Sequence, residues 1–181
     1  DDPLFLEEFR SEAQKATTLN HPNLVPIYDW GEQELPYVVT EYLSGGNLRN
    51  LVDTAGNISS SQALLIGIEI TKGLEYAHKR GVTHLSLKPT NILFDFESNI
   101  RIAGFGISKT LASFSSANTE TPRGQRYLSP EQISGRRIDQ RSDIYSLSCL
   151  LYESVARNQS PKQPHDADNV EPLSDRIESN L

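Results

Sequence analysis

Apolar residues recur with helical spacing in the middle of the chain. The stripe consists of residues separated by four, four and three positions: Ile66, Ile70, Leu74 and Ala77. Ser59 precedes the stripe as a capping residue, and Gly81 follows it where a helix commonly ends. The pattern therefore predicts one long helix from about Ser59 to Lys79.

A second apolar stripe predicts another buried helix further along the chain. Its positions are separated by three, four and four residues: Ile144, Leu147, Leu151 and Val155. Ser142 is the predicted N-cap of this helix, and the charge of Asp143 suits a helix N-terminus. Cys149 is the single cysteine and falls among the apolar residues, so we expect a buried thiol and no disulfide.

The first forty residues predict a helix followed by strands. Asp2 followed by Pro3 is typical of a helix start, and His21 followed by Pro22 is expected to stop the helix. Residues 36–43 form a short apolar run with β-branched residues, which is typical of a strand, and Ser-Gly-Gly at 44–46 ends it.

Composition and charge favour a globular protein and disfavour nucleic-acid binding and a membrane span. With 181 residues, 36% hydrophobic and 23% charged, the chain has the composition of a soluble globular protein with a sizeable core. The net charge of −7 argues against a nucleic-acid partner, because phosphate binding needs clustered cations. No run approaches the roughly 20 apolar residues of a membrane span and no signal peptide is visible, so we expect a cytoplasmic protein without a membrane segment.

Residues 84–91 and 104–106 carry the most informative chemistry in the chain. The first segment reads His-Leu-Ser-Leu-Lys-Pro-Thr-Asn and the second reads Gly-Phe-Gly. They resemble the catalytic loop and the metal-binding motif of a protein kinase, whose patterns are H-R-D-x-K-x-x-N and D-F-G. The resemblance implies an α+β, two-lobe kinase fold, truncated here to a partial small lobe and a mostly helical large lobe.

Both aspartates of the family patterns are missing from these segments. Ser86 stands where the family has the aspartate that takes the substrate's hydroxyl proton, and Gly104 stands where it has the aspartate that holds magnesium. A serine hydroxyl is neutral near pH 7, and loss of a general base typically costs about 10²- to 10⁴-fold in rate. Lys88 and Asn91 keep their catalytic positions, but the neutral amide of Asn91 is a weak metal ligand without its carboxylate partner.

Other positions match the nucleotide site of the family. Glu12 matches the helix glutamate that pairs with a strand lysine, and Thr40 matches the gatekeeper position beside the adenine slot. The alternatives are that Glu12 is an ordinary solvated residue of its helix and that Thr40 is a core residue beside a strand end. The resemblance places the cofactor-binding positions at Glu12, Thr40, Glu41, Leu43, Leu93 and Gly104.

Three further carboxylates lie in or near the segments that resemble the family. Asp95 lies near the two motifs, but it follows a strand pattern and precedes Glu-Ser-Asn at 97–99, so we expect a turn residue rather than a substitute base. Asp143 matches the structural aspartate that holds the catalytic loop backbone; a simple helix N-terminal charge is the alternative. Glu131 lies in a segment similar to the A-P-E element, and we expect it to lack its arginine partner.

The resemblance divides the chain into a small-lobe remnant at 1–43, a partial large lobe at 44–155 and a loose tail at 156–181. ATP and magnesium are the family's cofactors, but the phosphate loop and strand lysine would lie upstream of Asp1, so we expect neither to bind this chain. We therefore expect a pseudokinase that acts by binding a protein partner, either a kinase or a signalling protein. The alternatives are an active Ser/Thr kinase with unusual catalytic residues and a decaying gene fragment.

Overall fold

The structure is a computed structural model that describes residues 3–32, 36–56, 58–105 and 124–156. Helices and strands both contribute, which confirms the α+β class. The helices of these residues are α1 (Pro3–Ala16), α2 (Leu48–Ala55), α3 (Ser60–His78), α4 (Pro130–Ile133) and α5 (Arg141–Val155), and the strands are β1 (Ile27–Glu32), β2 (Pro36–Thr40), β3 (Ile92–Phe94) and β4 (Ile100–Ile102). Two short 3₁₀ turns lie at Pro89–Asn91 and Gly124–Tyr127.

Helix α1 ends earlier than the sequence predicts. Its last helical residue is Ala16, so the stop expected at His21 and Pro22 is wrong. The hydroxyls of Thr17 and Thr18 donate to the carbonyls of Gln14 and Lys15 at 2.8 and 2.7 Å. These side chains satisfy carbonyls that the end of a helix leaves without partners, so the helix can end before the proline.

Two antiparallel strand pairs precede and follow residues 41–47 in the chain, a segment that we call the hinge. Strands β1 and β2 pair from Ile27 opposite Thr40 to Glu32 opposite Pro36, with an irregularity after Ile27. Strands β3 and β4 pair with Ile92 opposite Ile102. The segment before β1 also joins β4, because Val25 N donates to the Ile102 carbonyl at 2.9 Å.

Helix α3 follows the prediction closely. It runs from Ser60 to His78, and the Ser59 hydroxyl accepts from Gln62 N in a capping box. All four residues of the predicted stripe are buried. Gly73 permits the close approach of α3 to β4, because a Cβ at this position would lie 2.9 Å from Ile102 Cδ1.

Helix α5 buries a different face from the predicted stripe. Ile144 is 48% exposed, so its expected burial is wrong, whereas Cys149 is partly buried and packs against the core. The buried face of the helix consists of Ser142, Asp143, Ser146, Leu147, Leu150, Glu153 and Ser154. Ser146 Oγ donates to the Tyr127 carbonyl at 2.7 Å. A hydroxyl satisfied in this way can be buried at little cost, so serines replace apolar side chains at the contact.

The start of α5 also differs from the prediction. Gln140 occupies the N-cap position without a side-chain hydrogen bond, and Ser142 lies inside the helix. The Ser142 hydroxyl instead donates to Glu131 Oε1 at 2.5 Å. The predicted N-cap role of Ser142 is therefore wrong, because its hydroxyl is used in a tertiary contact.

The main hydrophobic core lies between α3, the β3–β4 pair, α2 and α5. Its most completely buried apolar side chains are Leu48, Ile70, Leu74, Leu87, Ile92, Ile102 and Leu150. Leu87 belongs to the loop between α3 and β3, so this core directly anchors that loop. None of the helices in the described part of the chain has the length and apolar character needed to cross a bilayer. The predicted tail lies outside the described residues except for Ala156, and the boundaries of the two lobes stay predictions.

Candidate functional site

The loop of residues 84–91 is held by a buried carboxylate from α5. Asp143 is completely buried, and its oxygens accept from His84 N at 2.8 Å and from Leu85 N at 2.7 Å. The ring Nε2 of His78 lies 2.7 Å from the same carboxylate. These contacts confirm that Asp143 holds the loop backbone, as predicted.

The charge of Asp143 is stabilised by these contacts. Burial by itself raises the pKa of a carboxyl group, because it disfavours the charged form. The hydrogen bond from His78 and those from the two backbone amides outweigh burial and bring the pKa of Asp143 below its usual value. Asp143 is therefore an anion at neutral pH with donors on both oxygens.

His84 links the loop to the segment that contains Gly104. Its ring Nε2 lies 2.8 Å from the Ala103 carbonyl, and Ser86 N donates to its Nδ1 at 3.2 Å. These partners assign the neutral ring with the proton on Nε2. Burial lowers the pKa of His84, in agreement with the neutral form. The ring of Phe105 packs edge-on against His84 with centroids 4.7 Å apart.

Leu85 has a backbone conformation that is uncommon for leucine. Its φ is 60°, in the left-handed region, and its side chain is buried. The Leu85 carbonyl accepts from Gln132 Nε2 at 2.8 Å, while its amide is bound to Asp143. Sequence reasoning missed Gln132. The pattern Ser-Pro-Glu-Gln at 129–132 identifies a capping box at the start of α4, but not this contact.

Hydrogen bonds through Asn91 connect the backbone at Ser86 to the backbone that precedes Gly104. Asn91 Nδ2 donates to the Ser86 carbonyl at 2.9 Å, and Ala103 N donates to the Asn91 carbonyl at 2.8 Å. The structure therefore brings Ser86 and Asn91 next to the strand end that leads into Gly104. Lys88 is half-buried and directly precedes the 3₁₀ turn. Asn91 can offer a metal ion only its Oδ1, because the amide nitrogen is a hydrogen-bond donor and not a metal ligand.

The donor set at this position does not fit a kinase magnesium site. Gly104 has no side chain, and its φ of 92° is a conformation that glycine adopts readily. Ser86 is neutral, and Mg²⁺ prefers carboxylate oxygens. The described residues contain no group of three or more His, Cys, Asp or Glu side chains that could hold a metal ion.

Asp95 is a turn residue, as predicted. Its Oδ1 accepts from Glu97 N and Asn99 N, and its Oδ2 accepts from Asn99 Nδ2, each at 2.9 Å. Arg101 Nη2 lies 3.6 Å from the same carboxylate. Hydrogen bonds from Asn99 in particular lower the pKa of Asp95. Because both oxygens are engaged within its own turn, Asp95 is not placed to act as a base or metal ligand.

The residues predicted to line the adenine slot lie near a close approach of two segments. Gly45 N donates to the Phe94 carbonyl, and Phe94 N donates to the Gly46 carbonyl, each at 3.0 Å. Leu93 is half-buried on β3 and forms a bridge with Asn47. These contacts place the segment that follows Glu41 and Leu43, both half-buried, beside Leu93.

The remaining nucleotide-site positions lie in the small-lobe elements. Thr40 ends β2 and is exposed, so its alternative interpretation as a core threonine is wrong. Glu12 lies in the second half of α1 and is half-buried. Their roles in nucleotide binding stay predictions.

Glu131 accepts a hydrogen bond from a neighbouring helix, and the expectation that it lacks the family's arginine partner stays a prediction. Ser142 Oγ donates to Glu131 Oε1, and this hydrogen bond lowers the pKa of Glu131. The contact joins α4 to α5 where the chain returns toward the catalytic loop. The sequence placed Ser142 at a helix cap and therefore did not suggest the pair.

Comparisons with known proteins identify relatives over nearly the whole chain. The family model for the protein kinase domain matches residues 2–179. Serine/threonine-protein kinase PknB of Mycolicibacterium smegmatis is 42% identical over 160 residues, which are 84% of this chain and 26% of that protein. PknB of Mycobacterium leprae is 43% identical over 159 residues, with the same shares.

A probable serine/threonine-protein kinase of Streptomyces coelicolor is 39% identical over 160 residues, which are 84% of this chain and 24% of that protein. The chain therefore spans about a quarter of the length of these curated relatives.

Proposed function

The chain belongs to the protein kinase family, and from this premise we propose that it is a pseudokinase, a kinase-like domain that has lost phosphotransfer and acts by binding a protein partner. It is homologous to bacterial serine/threonine kinases of the PknB type.

One observation carries the proposal: neither the well-supported catalytic loop at Ser86 nor the segment after β4 at Gly104 has a carboxylate at its chemical position. Asp143 and Gln132 hold the backbone around Leu85, and Asn91 holds the Ser86 carbonyl. Phosphoryl transfer needs a group that accepts the substrate proton and anions that hold the metal. Ser86 and Gly104 supply neither, and Asp95 is engaged elsewhere.

The expected loss of rate is large. A missing general base removes about 10²- to 10⁴-fold in rate, and a missing metal ligand removes several kcal/mol of charge stabilisation. The two losses need not add, because the groups act as a unit. We propose that ATP with magnesium does not bind this chain measurably. A rise in melting temperature with millimolar ATP and Mg²⁺ would contradict this part of the proposal.

The partner that we propose is a protein. The net charge of −7 disfavours nucleic acid, because counterion release requires clustered cations on the protein. A domain that keeps the kinase fold but not phosphotransfer can regulate a partner protein by binding it. This requires that the partner binds one conformation of the domain better than another.

An active serine/threonine kinase is the second candidate. Lys88 and Asn91 keep the family's positions in the catalytic loop, and the loop backbone has firm support. In that case another residue would have to supply the proton acceptor and hold the metal.

Phosphate transfer to a generic Ser/Thr peptide separates the two candidates. The natural full-length protein is compared with its Ser86→Asp, Gly104→Asp double variant, which restores both family aspartates. Ser98→Asp, Gly135→Asp is the matched control, because it makes the same two changes at exposed positions, and Gly135, like Gly104, has a positive φ. A silent natural protein with an active double variant supports the pseudokinase; transfer by the natural protein overturns it.

A further inference from the structure

A buried ion pair outside the catalytic loop joins three segments that are distant in sequence. Arg49 in α2 donates through Nη2 to Oε1 and Oε2 of Glu153 in α5, at 3.0 and 2.9 Å. The same nitrogen donates to the Tyr127 hydroxyl at 2.8 Å, and this hydroxyl donates to Glu153 Oε2. We call these three residues the Arg49 cluster.

The residues of the Arg49 cluster are largely buried, so each polar group needs the others as hydrogen-bonding partners. Tyr127 is 5% exposed and Glu153 is 8% exposed, while the Arg49 side chain is 16% exposed. A carboxylate at this depth requires a cationic or hydrogen-bonding partner. Burial and the hydrogen bond to Glu153 raise the pKa of Tyr127, so its phenol remains a donor at neutral pH.

Tyr127 begins the segment that connects the Arg49 cluster to the catalytic loop. The Tyr127 carbonyl accepts from Ser146, and five residues later Gln132 donates to the carbonyl of Leu85 at 2.8 Å. Leu85 directly precedes Ser86 and has the left-handed conformation. Residues 127–132 are therefore fixed at one end by the cluster and at the other end by the loop.

Arg49 connects the cluster to the hinge through the start of α2. Arg49 is the second residue of α2, whose N-cap is Asn47, and Asn47 forms a bridge with Leu93. Gly45 and Gly46 pair with Phe94 just before this helix. A displacement of residues 43–47 would therefore move the guanidinium group that holds Tyr127.

We propose that Arg49 is a positioning residue that couples residues 43–47 to the backbone of the catalytic loop at Leu85 and Ser86. Binding at either segment changes the stability of the other through Tyr127 and Gln132. That either segment binds a ligand or partner rests on the proposed function, whereas the coupling rests on the contacts of these side chains alone.

Hydrogen exchange measured by mass spectrometry on the unsubstituted 181-residue chain tests the coupling. The informative amides are those of Leu85, Ser86 and Ile133, which donate to Asp143, His84 and Ser129. Arg49→Met should accelerate exchange in the peptides that contain them by about tenfold or more, relative to peptides from the centre of α3. Arg49→Lys should restore only part of the protection, because a point charge cannot replace the planar guanidinium fork.

Two further variants keep the test decisive. Asp53→Asn is the matched control, because Asp53 also contacts Arg49, at 3.5 Å, but is half exposed; its exchange pattern should match that of the natural chain. Arg49→Met, Glu153→Met replaces the ion pair by apolar side chains, which buried sites often tolerate, so the variant should fold even where Arg49→Met does not. It should show the same local acceleration.

Unchanged exchange in the 84–87 and 128–133 peptides would overturn the coupling. So would acceleration that is uniform across these peptides and α3, because uniform acceleration reports only a loss of overall stability. Since no phosphate transfer is measured, this result is independent of whether the domain is an active kinase.

Discussion

The carboxylate of Asp143 accepts a hydrogen bond of 2.7 Å from the backbone amide of Leu85, which lies 58 positions earlier in the chain. Leu85 occupies the left-handed region there, a conformation that costs leucine about 1 kcal/mol or more. The hydrogen bonds to Asp143 and Gln132 hold this residue in place. The shape of the catalytic loop therefore depends on α5 and α4, and not on an acidic residue at position 86.

Asp143→Asn should lower the free energy of unfolding by about 2–4 kcal/mol, because an amide cannot accept from three donors on two oxygens and leaves buried groups unpaired. Urea denaturation followed by circular dichroism measures the change. Asp139→Asn is the control: this aspartate pairs with Arg141 on the surface and its loss should cost below about 1 kcal/mol. Equal effects of the two changes would argue against the holding role of Asp143.

The stability of the chain should fall as the pH drops below 6.5, in part through His84. Burial lowers the pKa of His84 from 6.5, so the unfolded chain takes up this proton first. The stability from this group is fully present above pH 6.5 and is lost as the pH falls from there through the folded-state value. Urea denaturation at pH 7 and pH 5 should show a loss that is smaller in His84→Gln, by on the order of 1 kcal/mol. An identical loss in both proteins would exclude His84 as a source.

Gly45→Ala should strongly destabilise the contact between the hinge and β3. A Cβ at this position would lie 2.5 Å from the Asp95 carbonyl oxygen and 2.6 Å from that of Phe94. Backbone atoms cannot move aside as a flexible side chain can, so we expect a loss of about 3 kcal/mol. Gly135→Ala is the comparison, since its φ of 64° causes strain but nothing lies within 4 Å, and it should cost about 1 kcal/mol. Thermal unfolding that ranks the two in the opposite order would contradict the close approach.

Gly104 should accept aspartate far better than valine. At a φ of 92° any side chain is strained, but aspartate tolerates positive φ better than β-branched residues do. We expect Gly104→Asp to cost about 1 kcal/mol and Gly104→Val about 3 kcal/mol. Urea denaturation of both variants measures the difference, and equal costs would argue against a positive φ at position 104.

Local patterns predicted the parts of the fold that local physics determines. The stripe of α3 and its Ser59 cap follow from helical periodicity, and the turn at Asp95 follows from the preference of aspartate for its own backbone. The role of Asp143 followed from a motif match. The early end of α1 was missed, because it depends on two threonine hydroxyls that compete with the proline as a stop signal.

Periodicity failed where burial depends on satisfied polar groups. In α5 the exposed Ile144 lay on the predicted stripe, while Ser142, Ser146 and Glu153 lie inside. A serine can be buried when its hydroxyl finds an acceptor, and a glutamate when it meets an arginine, and neither partner is visible in a hydrophobicity pattern. Arg49 and Glu153 are 104 positions apart, so no local signal connects them.

The sequence by itself determined that residues 86 and 104 carry no carboxylate, because the identity of a side chain decides which protons and metals it can bind. Only the tertiary structure decided that the nearby Asp95 does not replace them. It engages both oxygens of Asp95 within a turn, and it holds the loop backbone through Asp143 and Gln132. The sequence does not show these contacts, because the donors that reach a buried group are brought to it by the fold.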